Sequence, residues 1–303
     1  MSIVFSCIIP CSEKDKDSQN LKDLIASIKS QDFQQDQIEI LVVTKGDSEQ
    51  AKAIGIRKAK GKICAMFCAD NQIVGNKLFK VVYDIYKEGC VASYTARYRH
   101  VKEDNSLNRY FSLIGGNDPV CYYLGKNDRW PQVEELKIES KYPKSYGCNG
   151  FFYRAEDIKK TDLDHYYPMD NAMEVKGEFR RIYSDSIWHK TSDKLVPFLK
   201  KRYKYARDLY CYRTDRRWKM LDTREDYFKL FLFVLYTCTI IQPLYVSIKG
   251  FKKVKDLAWA WHWPVCVGFL ITYTILVCRN LIKHQFWFQA SKEKKRSSVA
   301  LEV

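Results

Sequence analysis

The stretch from Ala51 to Asn71 constrains the fold of this chain more than any other part of the sequence. Its first half has the apolar side of a short helix, and Gly61 ends that helix. After Lys62, the six residues Ile63–Cys68 are apolar and have the length of a strand buried on both faces. Asp70 then follows the carboxyl end of this strand, which is where open α/β sheets bind their ligands.

Two interpretations of Asp70 are open at this point. A carboxylate at the end of a strand suits a divalent cation that holds a diphosphate, because hard cations prefer oxygen ligands. Asp70 and Asn71 are also common turn residues, so the pair can simply end the strand. The stretch alone does not decide between a ligand site and a turn.

Strands and helices alternate along the first part of the chain. Apolar runs of strand length occupy residues 3–9, 38–43, 63–68 and 90–98, and apolar residues at helical spacing lie between them. The first run lacks the basic flank of a signal peptide, so it is predicted as a strand. This alternation predicts an α/β fold with a mostly parallel sheet and helical crossovers.

The 11 cysteines are an odd number and are scattered through apolar runs. This pattern predicts reduced core residues in a cytosolic setting rather than a disulfide framework. Cys7/Cys11 and Cys64/Cys68 are each spaced by four, but both pairs lie on predicted strands. Packing is therefore favoured over metal binding for them.

After residue 100 the pattern loosens into polar, turn-rich segments set among aromatic residues. Asn117 and Asp118 lie in the first such segment, and Lys126 and Arg129 lie in the second. Long irregular stretches inside a domain are often functional, so these side chains are candidates for an acceptor groove or for phosphate contacts. A solvated loop is the alternative interpretation for each of them.

The formal net charge of +15 is concentrated after residue 198 and at the C-terminus. Basic residues there alternate with aromatic residues and stand beside long apolar runs, which favours an anionic membrane surface over nucleic acid. No zinc-finger spacing or RNA-binding aromatic signature is present in the sequence. We therefore predict a basic, aromatic interfacial helix region over residues 198–226 and no nucleic-acid partner.

Two segments are long and uncharged enough to cross a bilayer. Residues 230–248 hold 19 uncharged positions and residues 257–278 hold 22, against about 20 residues for a spanning helix. They predict a two-span transmembrane hairpin over residues 227–279, with residues 1–197 and the basic tail of residues 280–303 on the cytosolic side. Pro243 and Pro264 leave open a hairpin that dips into one leaflet.

Several ordered motifs over residues 3–200 resemble family 2 glycosyltransferases. The first strand ends in Ile-Ile-Pro. An A-x-G turn precedes the next strand of the motif, and Asp70 stands at the second Asp of the D-x-D triplet that ends it. Gly147 and Gly150 bracket a polar pair. The resemblance implies a GT-A catalytic domain over residues 1–197, with a doubly wound, mostly parallel sheet and helices on both faces, that binds a nucleotide-sugar. It also implies inverting transfer of a sugar from a UDP- or GDP-sugar. The predicted membrane hairpin keeps the site near the bilayer, so a membrane-associated, lipid-linked acceptor is expected, with self-association left open.

The resemblance also implies roles for individual residues. Asp70 would hold Mg²⁺ or Mn²⁺, His189 would complete the metal site, and Asp170 would be the general base that deprotonates the acceptor. The alternatives are a packed or surface role for His189 and a helix N-cap role for Asp170. Donor contacts would come from Pro10, Ser12, Glu13, Asp47, Asp70 and Asn71, and the acceptor or diphosphate region would include Asn117, Asp118, Lys126, Arg129, Asn149 and Gly150.

Two positions depart from the family pattern. Cys68 stands where the first Asp of the D-x-D triplet is expected, and Met169 stands where the first acid of the pair before the acceptor helix is expected. These departures support a second hypothesis, in which the chain is a non-catalytic relative that binds a nucleotide-sugar or scaffolds partners at the membrane.

Overall fold

The computed structural model describes residues 2–95, 98–126, 137–143, 150–183, 187–207 and 217–279. Its strands are β1 (Phe5–Pro10), β2 (Ile38–Val43), β3 (Ile63–Met66), β4 (Asn71–Ile73), β5 (Ala92–Thr95), β6 (Lys137–Ser140), β7 (Phe151–Arg154), β8 (Phe179–Tyr183) and β9 (Ile187–His189). Seven of them form one sheet in the order β2-β1-β3-β7-β5-β8-β6, and β4 pairs with β9 in a small second sheet.

Five strands of the large sheet run in the same direction. β1 is parallel to both β2 and β3, and β5 is parallel to β8. β7 lies between β3 and β5 and runs against both, and the edge strand β6 runs against β8. This confirms the predicted α/β fold with a mostly parallel sheet.

The helices cover both faces of the sheet and then form a separate layer. They are α1 (Gln19–Lys29), α2 (Ser48–Lys58), α3 (Leu78–Lys87), α4 (Ser106–Ile114), α5 (Pro119–Tyr123), α6 (Ala155–Ile158), α7 (Pro168–Glu174), α8 (Leu195–Ala206), α9 (Arg224–Thr239), α10 (Ile241–Lys253) and α11 (Leu257–Arg279). The first turn of α11, Leu257–Trp261, is a 3-10 helix.

Local sequence explains where the sheet-covering helices begin and pack. Ser18 caps α1 by accepting the N–H of Leu21, and Asp47 caps α2 in a capping box with Gln50. Gly55 brings α2 close to the sheet, because a Cβ at this position would collide with Ile8. The helices therefore start at the carboxyl edge and lie tightly over the strands.

The described residues pack into three apolar cores. The first core lies between the sheet and α1 with α3, and it contains Leu24, Phe79 and Ile73. The second core lies on the other face under α2, α6 and α7, and it contains Ile56 and Ala172. The third core is made by α4, α5 and the C-terminal helices α8 to α11, including Phe111, Phe198, Phe233 and Phe269.

The prediction of two transmembrane helices is wrong for the first of them. Residues 230–248 do not form one straight helix, because α9 and α10 meet at an angle of 87°. Pro243 has no N–H to donate to the carbonyl of Thr239 and its ring crowds that carbonyl, so α9 ends at Thr239. Ile240 then turns the chain with a φ of 64°.

The second predicted span does form a helix. By length and composition, Leu257–Arg279 is the single described helix that could cross a membrane. Neither α9 nor α10 meets these criteria alone, and the bent pair meets them only when the two helices are counted together. Within the predicted interfacial region, α8 extends to Ala206 and residues 208–216 lie outside the described chain. The predicted basic tail of residues 280–303 also lies outside it.

Candidate active site at the carboxyl edge of the sheet

The carboxyl ends of β1, β2 and β3 meet at one edge of the sheet. Pro10 ends β1 beside Val43 of β2, and Met66 ends β3 beside Ile8. The segments that follow these strands therefore share an edge, which is the usual ligand-binding side of a parallel sheet. Asp70 lies in the turn between β3 and β4 at this edge.

The small sheet brings His189 to Asp70. β4 and β9 are antiparallel with Asn71 opposite His189, and His189 Nε2 lies 3.3 Å from Asp70 Oδ1. The backbone N–H of Lys190 donates to the Asp70 carbonyl at 3.0 Å, which closes the same turn. The His189 side chain is 7% exposed, so its imidazole faces the carboxylate from inside the protein.

Neighbouring groups fix the orientation of the His189 ring. The Thr191 hydroxyl lies 3.2 Å from His189 Nδ1, and Thr191 Oγ1 also lies 3.3 Å from Asn117 Oδ1. The Tyr98 ring packs against the imidazole with 4.6 Å between ring centroids. These contacts leave Nε2 as the ring nitrogen that faces Asp70.

The surroundings of Asp70 lower the pKa of its carboxyl group. Burial raises the pKa of Asp70, but the nearby His189 and Lys201 outweigh burial and hold the pKa below its usual range. Asp70 Oδ1 is buried, and His189 Nε2 lies 3.3 Å from it. Asp70 is therefore a carboxylate with a buried oxygen directed towards an imidazole.

This pair fits part of a divalent metal site. A carboxylate oxygen and an imidazole nitrogen are ligands that Mn²⁺ accepts, whereas Mg²⁺ prefers oxygen ligands. Among the described residues no group of three His, Cys, Asp or Glu side chains is arranged to hold a metal ion. Asp70 and His189 would thus need oxygens from a bound substrate or water to complete the coordination.

Asp170 belongs to α7, which packs on the second core, on the other face of the sheet from the first core. It lies in the first turn of α7 and is 8% exposed. The N–H of Tyr166 donates to the Glu49 carbonyl in the first turn of α2, so the chain enters α7 near the carboxyl edge. Ala172 packs in the second core, whereas Ile73, just after Asp70, packs in the first core. The convergence of the two aspartates on one substrate stays a prediction.

The orientation of Asp170 is set by a segment from the C-terminal half. Asp170 Oδ1 accepts the backbone N–H of Trp218 at 2.6 Å. On the same segment, the Arg217 guanidinium pairs with Glu174 of α7 at 3.1 Å. The N-cap prediction for Asp170 is not what the helix shows, because the N-cap position of α7 is Tyr167.

The predicted donor residues lie in the segments after β1 and β2. Pro10 is the last residue of β1, and Ser12 and Glu13 follow it on an exposed 3-10 turn. Asp47 caps α2, and His165 Nε2 lies 3.9 Å from its second carboxylate oxygen. Asn71 accepts the N–H of Cys68 at 2.9 Å and is 2% exposed. The structure brings these residues to the edge that holds Asp70.

The predicted acceptor and diphosphate residues are more dispersed. Asn117 contacts the Thr191 hydroxyl beside His189. Asp118 caps α5 and pairs with Arg202 at 2.9 Å in the third core, which gives it a structural role. Lys126 pairs with Asp226 at 3.2 Å and lies over the Trp218 ring. Arg129 and Asn149 lie outside the described residues.

Gly150 lies between two strands of the large sheet at this edge. Its N–H donates to Met66 at 2.9 Å, and its carbonyl accepts the N–H of Thr95 at 2.9 Å. Its φ is +70°, and a Cβ would collide with Thr95 Oγ1. Backbone conformation and packing therefore explain the glycine without a ligand.

Sequence reasoning missed three groups that shape this site. Thr191 and Tyr98 orient His189, and the Trp218 backbone holds Asp170. A hydroxyl two residues after a candidate histidine is a usable signal for Thr191. No sequence pattern identifies a backbone N–H that arrives from another part of the fold.

The fold places the chain in a known structural class. No protein-family model matches the chain, and no curated protein matches it. The solved structures show that the chain has the GT-A fold of glycosyltransferases. The likeness that carries this conclusion is to the mannosyltransferase PcManGT from Pyrobaculum calidifontis, solved in complex with GDP-Man and Mn²⁺.

The similarity to PcManGT has a TM-score of 0.50 at 10% identity and covers 93% of this chain and 88% of that chain. S. aureus TarS 1-349 is matched with a TM-score of 0.42 at 13% identity, over 89% of this chain and 81% of that chain. A197 from STIV is matched with a TM-score of 0.41 at 12% identity, over 63% of this chain and 88% of that chain. At these identities the comparisons show the fold alone.

Proposed function

We propose that the chain is an inverting glycosyltransferase of the family 2 type, which moves a sugar from a nucleotide-sugar to an acceptor at a membrane. The observation that carries the proposal is the 3.3 Å approach of His189 Nε2 to Asp70 Oδ1 at the carboxyl edge of a GT-A fold. A carboxylate and an imidazole at that edge suit a metal-bound diphosphate. The donor would be a UDP- or GDP-sugar.

Asp70 and His189 are the residues that would hold Mn²⁺ or Mg²⁺. The buried Asp70 oxygen and the imidazole supply two ligands, and the donor set favours Mn²⁺. A GT-A structure solved with GDP-Man and Mn²⁺ supports the choice of ion. When bound, the ion would neutralise the negative charge that develops on the leaving nucleoside diphosphate.

Asp170 would act as the general base. Its carboxylate would accept the proton of the acceptor hydroxyl as the acceptor oxygen attacks the anomeric carbon of the sugar. A single displacement of this kind inverts the configuration at that carbon. The hydrogen bond from the Trp218 N–H holds the Asp170 carboxylate in one orientation during proton transfer.

The remaining candidate residues would line the two sides of the site. Ser12, Glu13, Asp47 and Asn71, with Pro10, would contact the nucleotide from the segments that follow β1, β2 and β3. Asn117, Lys126 and Gly150 would border the acceptor or diphosphate. Arg129 and Asn149 belong to the same proposal.

The membrane would supply the acceptor. A lipid-linked acceptor is proposed because apolar C-terminal helices pack on the body that carries the candidate site. Confinement to a bilayer surface raises the local acceptor concentration in the way that tethering does. We propose that residues 1–197 form the catalytic domain on the cytosolic side; self-association is a further option.

The second candidate function is a non-catalytic relative that binds a nucleotide-sugar or scaffolds membrane partners. It is favoured by Cys68 and Met169, which replace two acids of the family pattern. Met169 is 3% exposed in the first turn of α7 beside Asp170, so its side chain serves packing. Such a relative would bind a nucleotide-sugar without turnover.

A donor screen separates the two functions. The full-length chain in detergent is mixed with UDP- and GDP-sugars, with Mn²⁺ or Mg²⁺ or neither, and nucleotide release is measured with lipid extract as acceptor. Metal-dependent release with at least one donor is the expected result. Binding of a donor without release supports the non-catalytic relative, and absence of both binding and release contradicts each function.

A further inference from the structure

The C-terminal helices expose an unusual amount of apolar surface. In the described part of the chain, 16 of the 21 large apolar side chains that are exposed lie between Tyr227 and Val277. Ile241 is 75% exposed and Leu257 is 80% exposed. Contiguous apolar surface of this kind marks an interaction site rather than scattered exposure.

The outer face of α10 accounts for the centre of this surface. Ile241, Leu244, Tyr245 and Ile248 recur at helical spacing on the exposed side. The opposite side holds Pro243, Val246 and Gly250, which are buried. A Cβ on Gly250 would collide with the Trp259 ring, so α10 is fixed closely against α11. The outer face is therefore presented by a rigid support.

The bend between α9 and α10 makes the outer face of α10 protrude. The two helices meet at 87°, and Phe231 and Leu235 of α9 are exposed as well. We call the exposed side chains of Phe231, Leu235, Ile241, Leu244 and Ile248 the elbow surface. α9 has 16 residues and α10 has 13, roughly 24 and 20 Å at 1.5 Å per residue, so neither crosses a hydrocarbon core of about 30 Å.

Basic side chains predominate around the elbow surface. The segment from Tyr227 to Lys255 contains five lysines and no Asp or Glu, although Lys229 pairs with Glu225 just before the segment and Asp256 follows it. Four of the lysines, Lys249, Lys252, Lys253 and Lys255, lie in the last turns of α10 or just after it. Lysines beside a half-exposed apolar helix face complement anionic lipid headgroups.

The helix α11 is held along its length by polar groups of the rest of the protein. Near its start, the Trp261 indole donates to Ser106 at 2.8 Å and His262 Nδ1 lies 2.9 Å from the Tyr110 hydroxyl. At its end, Arg279 donates to the Tyr203 hydroxyl at 3.1 Å.

The middle of α11 is held in the same way. The Tyr273 hydroxyl bonds Asp118, which also pairs with Arg202 of α8. If α11 crossed a bilayer, this ion pair and the basic helix α8 would have to enter the hydrocarbon beside it. That burial is costly, so the packing of α11 argues against a span.

We propose that the elbow surface binds an anionic bilayer from one side, with the bend inserted into a single leaflet and no helix crossing the membrane. The bound protein would be monotopic, and its catalytic body would rest on the headgroups. The inference deepens the membrane association within the proposed function. Vesicle binding is measured without a sugar donor. A protein that does not bind vesicles can therefore be distinguished from a protein that does not transfer sugar.

The first test is flotation of the full-length protein with vesicles of phosphatidylcholine and phosphatidylglycerol. The triple variant Ile241→Glu, Leu244→Glu, Ile248→Glu is expected to lose at least about 100-fold in partitioning, because three exposed apolar contacts become anionic. The matched control replaces three exposed apolar residues of the sheet domain, Ile138→Glu, Tyr142→Glu and Met173→Glu, and is expected to stay within about threefold of the wild type.

Two outcomes of the flotation test overturn the proposal. One is equal binding by the elbow variant and the wild type. The other is a wild-type protein that ignores vesicles but forms dimers that the elbow variant lacks, since the surface would then join two copies of the chain. The protein is expected to bind vesicles of phosphatidylcholine alone at least about tenfold more weakly than vesicles that contain phosphatidylglycerol. Equal binding to both would overturn the proposal that the surface selects anionic lipids.

The second test distinguishes one-sided binding from a span and needs no destabilising change. Lys253→Cys and Lys87→Cys are made in a background without other reactive cysteines, and sealed proteoliposomes are treated with a membrane-impermeant maleimide. Before detergent is added, we expect the same fraction of each cysteine to be labelled, because both sites lie on one side of the bilayer. If the two sites lie on opposite sides, the fraction labelled at one site equals the fraction protected at the other. That result would show a spanning hairpin and overturn the proposal.

Discussion

His189 Nε2 lies 3.3 Å from Asp70 Oδ1, although the two residues are 119 positions apart in the sequence. The contact exists because β4 and β9 pair with Asn71 opposite His189. This pairing joins the turn after β3 to the last strand before the C-terminal helices. It turns an isolated carboxylate into a two-residue site.

The first prediction concerns Thr191, a positioning residue. Thr191→Val removes the hydroxyl that contacts His189 Nδ1, so the ring loses the group that fixes its orientation. We expect Mn²⁺ affinity in the presence of UDP or GDP to fall by about 10- to 100-fold. Thr191→Ser keeps the hydroxyl and is expected to keep the affinity. Calorimetric titration checks both variants, and an unchanged affinity in Thr191→Val would remove Thr191 from the site.

The second prediction concerns Asp170. Asp170→Asn keeps an oxygen that accepts the Trp218 N–H but cannot accept a proton at neutral pH. We expect the transfer rate to fall by about 10² to 10⁴ while the melting temperature stays close to that of the wild type. The matched control is Asp84→Asn, a carboxylate in an exposed surface pair on α3. A full rate in Asp170→Asn would exclude it as the base.

The third prediction concerns the junction between the sheet domain and the C-terminal helices. Asp256 pairs with Arg109 at 2.9 Å and His100 at 2.7 Å, and it caps the start of α11. Asp256→Asn should lower the free energy of unfolding at pH 7 by about 1–3 kcal/mol, because the charge-assisted bond from Arg109 to a carboxylate is lost. Glu225→Gln, which breaks an exposed pair with Lys229, should change it by less than about 0.5 kcal/mol.

The same ion pairs give a pH dependence with a defined sign. Burial raises the pKa of Asp256, but the N–H of Ala258 and the Arg109 and His100 side chains outweigh it, and the net pKa is lowered. The folded pKa is then below the unfolded value of about 3.9. The stabilisation is therefore present above pH 4 and is lost as the pH falls through the folded pKa. Urea unfolding should show the wild-type advantage over Asp256→Asn shrinking below about pH 4; a constant difference down to pH 2 would contradict this.

The fourth prediction concerns Gly150. Gly150→Ala puts a Cβ on a residue with φ +70° and into Thr95 Oγ1, and we expect a loss of roughly 2–4 kcal/mol in the free energy of unfolding. Thr95→Ala in the same chain removes the collision but keeps the backbone strain. The double variant should therefore lose less than the sum of the two single variants. Additive losses in chemical denaturation would show that the two residues do not collide.

Much of the sheet domain could be predicted because its local signals agree with the fold. The apolar run Ile38–Val43 is β2 at the same bounds. The apolar run that was predicted to end at Cys68 is a strand only to Met66, because Asn71 accepts the N–H of Cys68 and turns the chain. Element type follows from periodicity, whereas the end of a strand depends on a side-chain contact.

The C-terminal half shows where such signals fail. The absence of charge over residues 230–248 is the same for a spanning helix and for a bent amphipathic pair. The bend follows from Pro243 and from packing of α10 on Trp259, and composition does not reveal that packing. In the site, a shared role for Asp70 and His189 could be predicted only from the family resemblance. The hydrogen bond from the Trp218 N–H to Asp170 depends on tertiary structure alone.

The most direct test of the central claim is calorimetric titration of UDP and GDP into the full-length protein with and without Mn²⁺. We expect one of the two nucleotides to bind only when Mn²⁺ is present, and Asp70→Asn to lose at least about tenfold in that affinity because a metal ligand is removed. Asp84→Asn should bind as the wild type does. Nucleotide binding that is independent of Mn²⁺ and unchanged in Asp70→Asn would contradict a metal-held diphosphate at the edge where Asp70 and His189 meet.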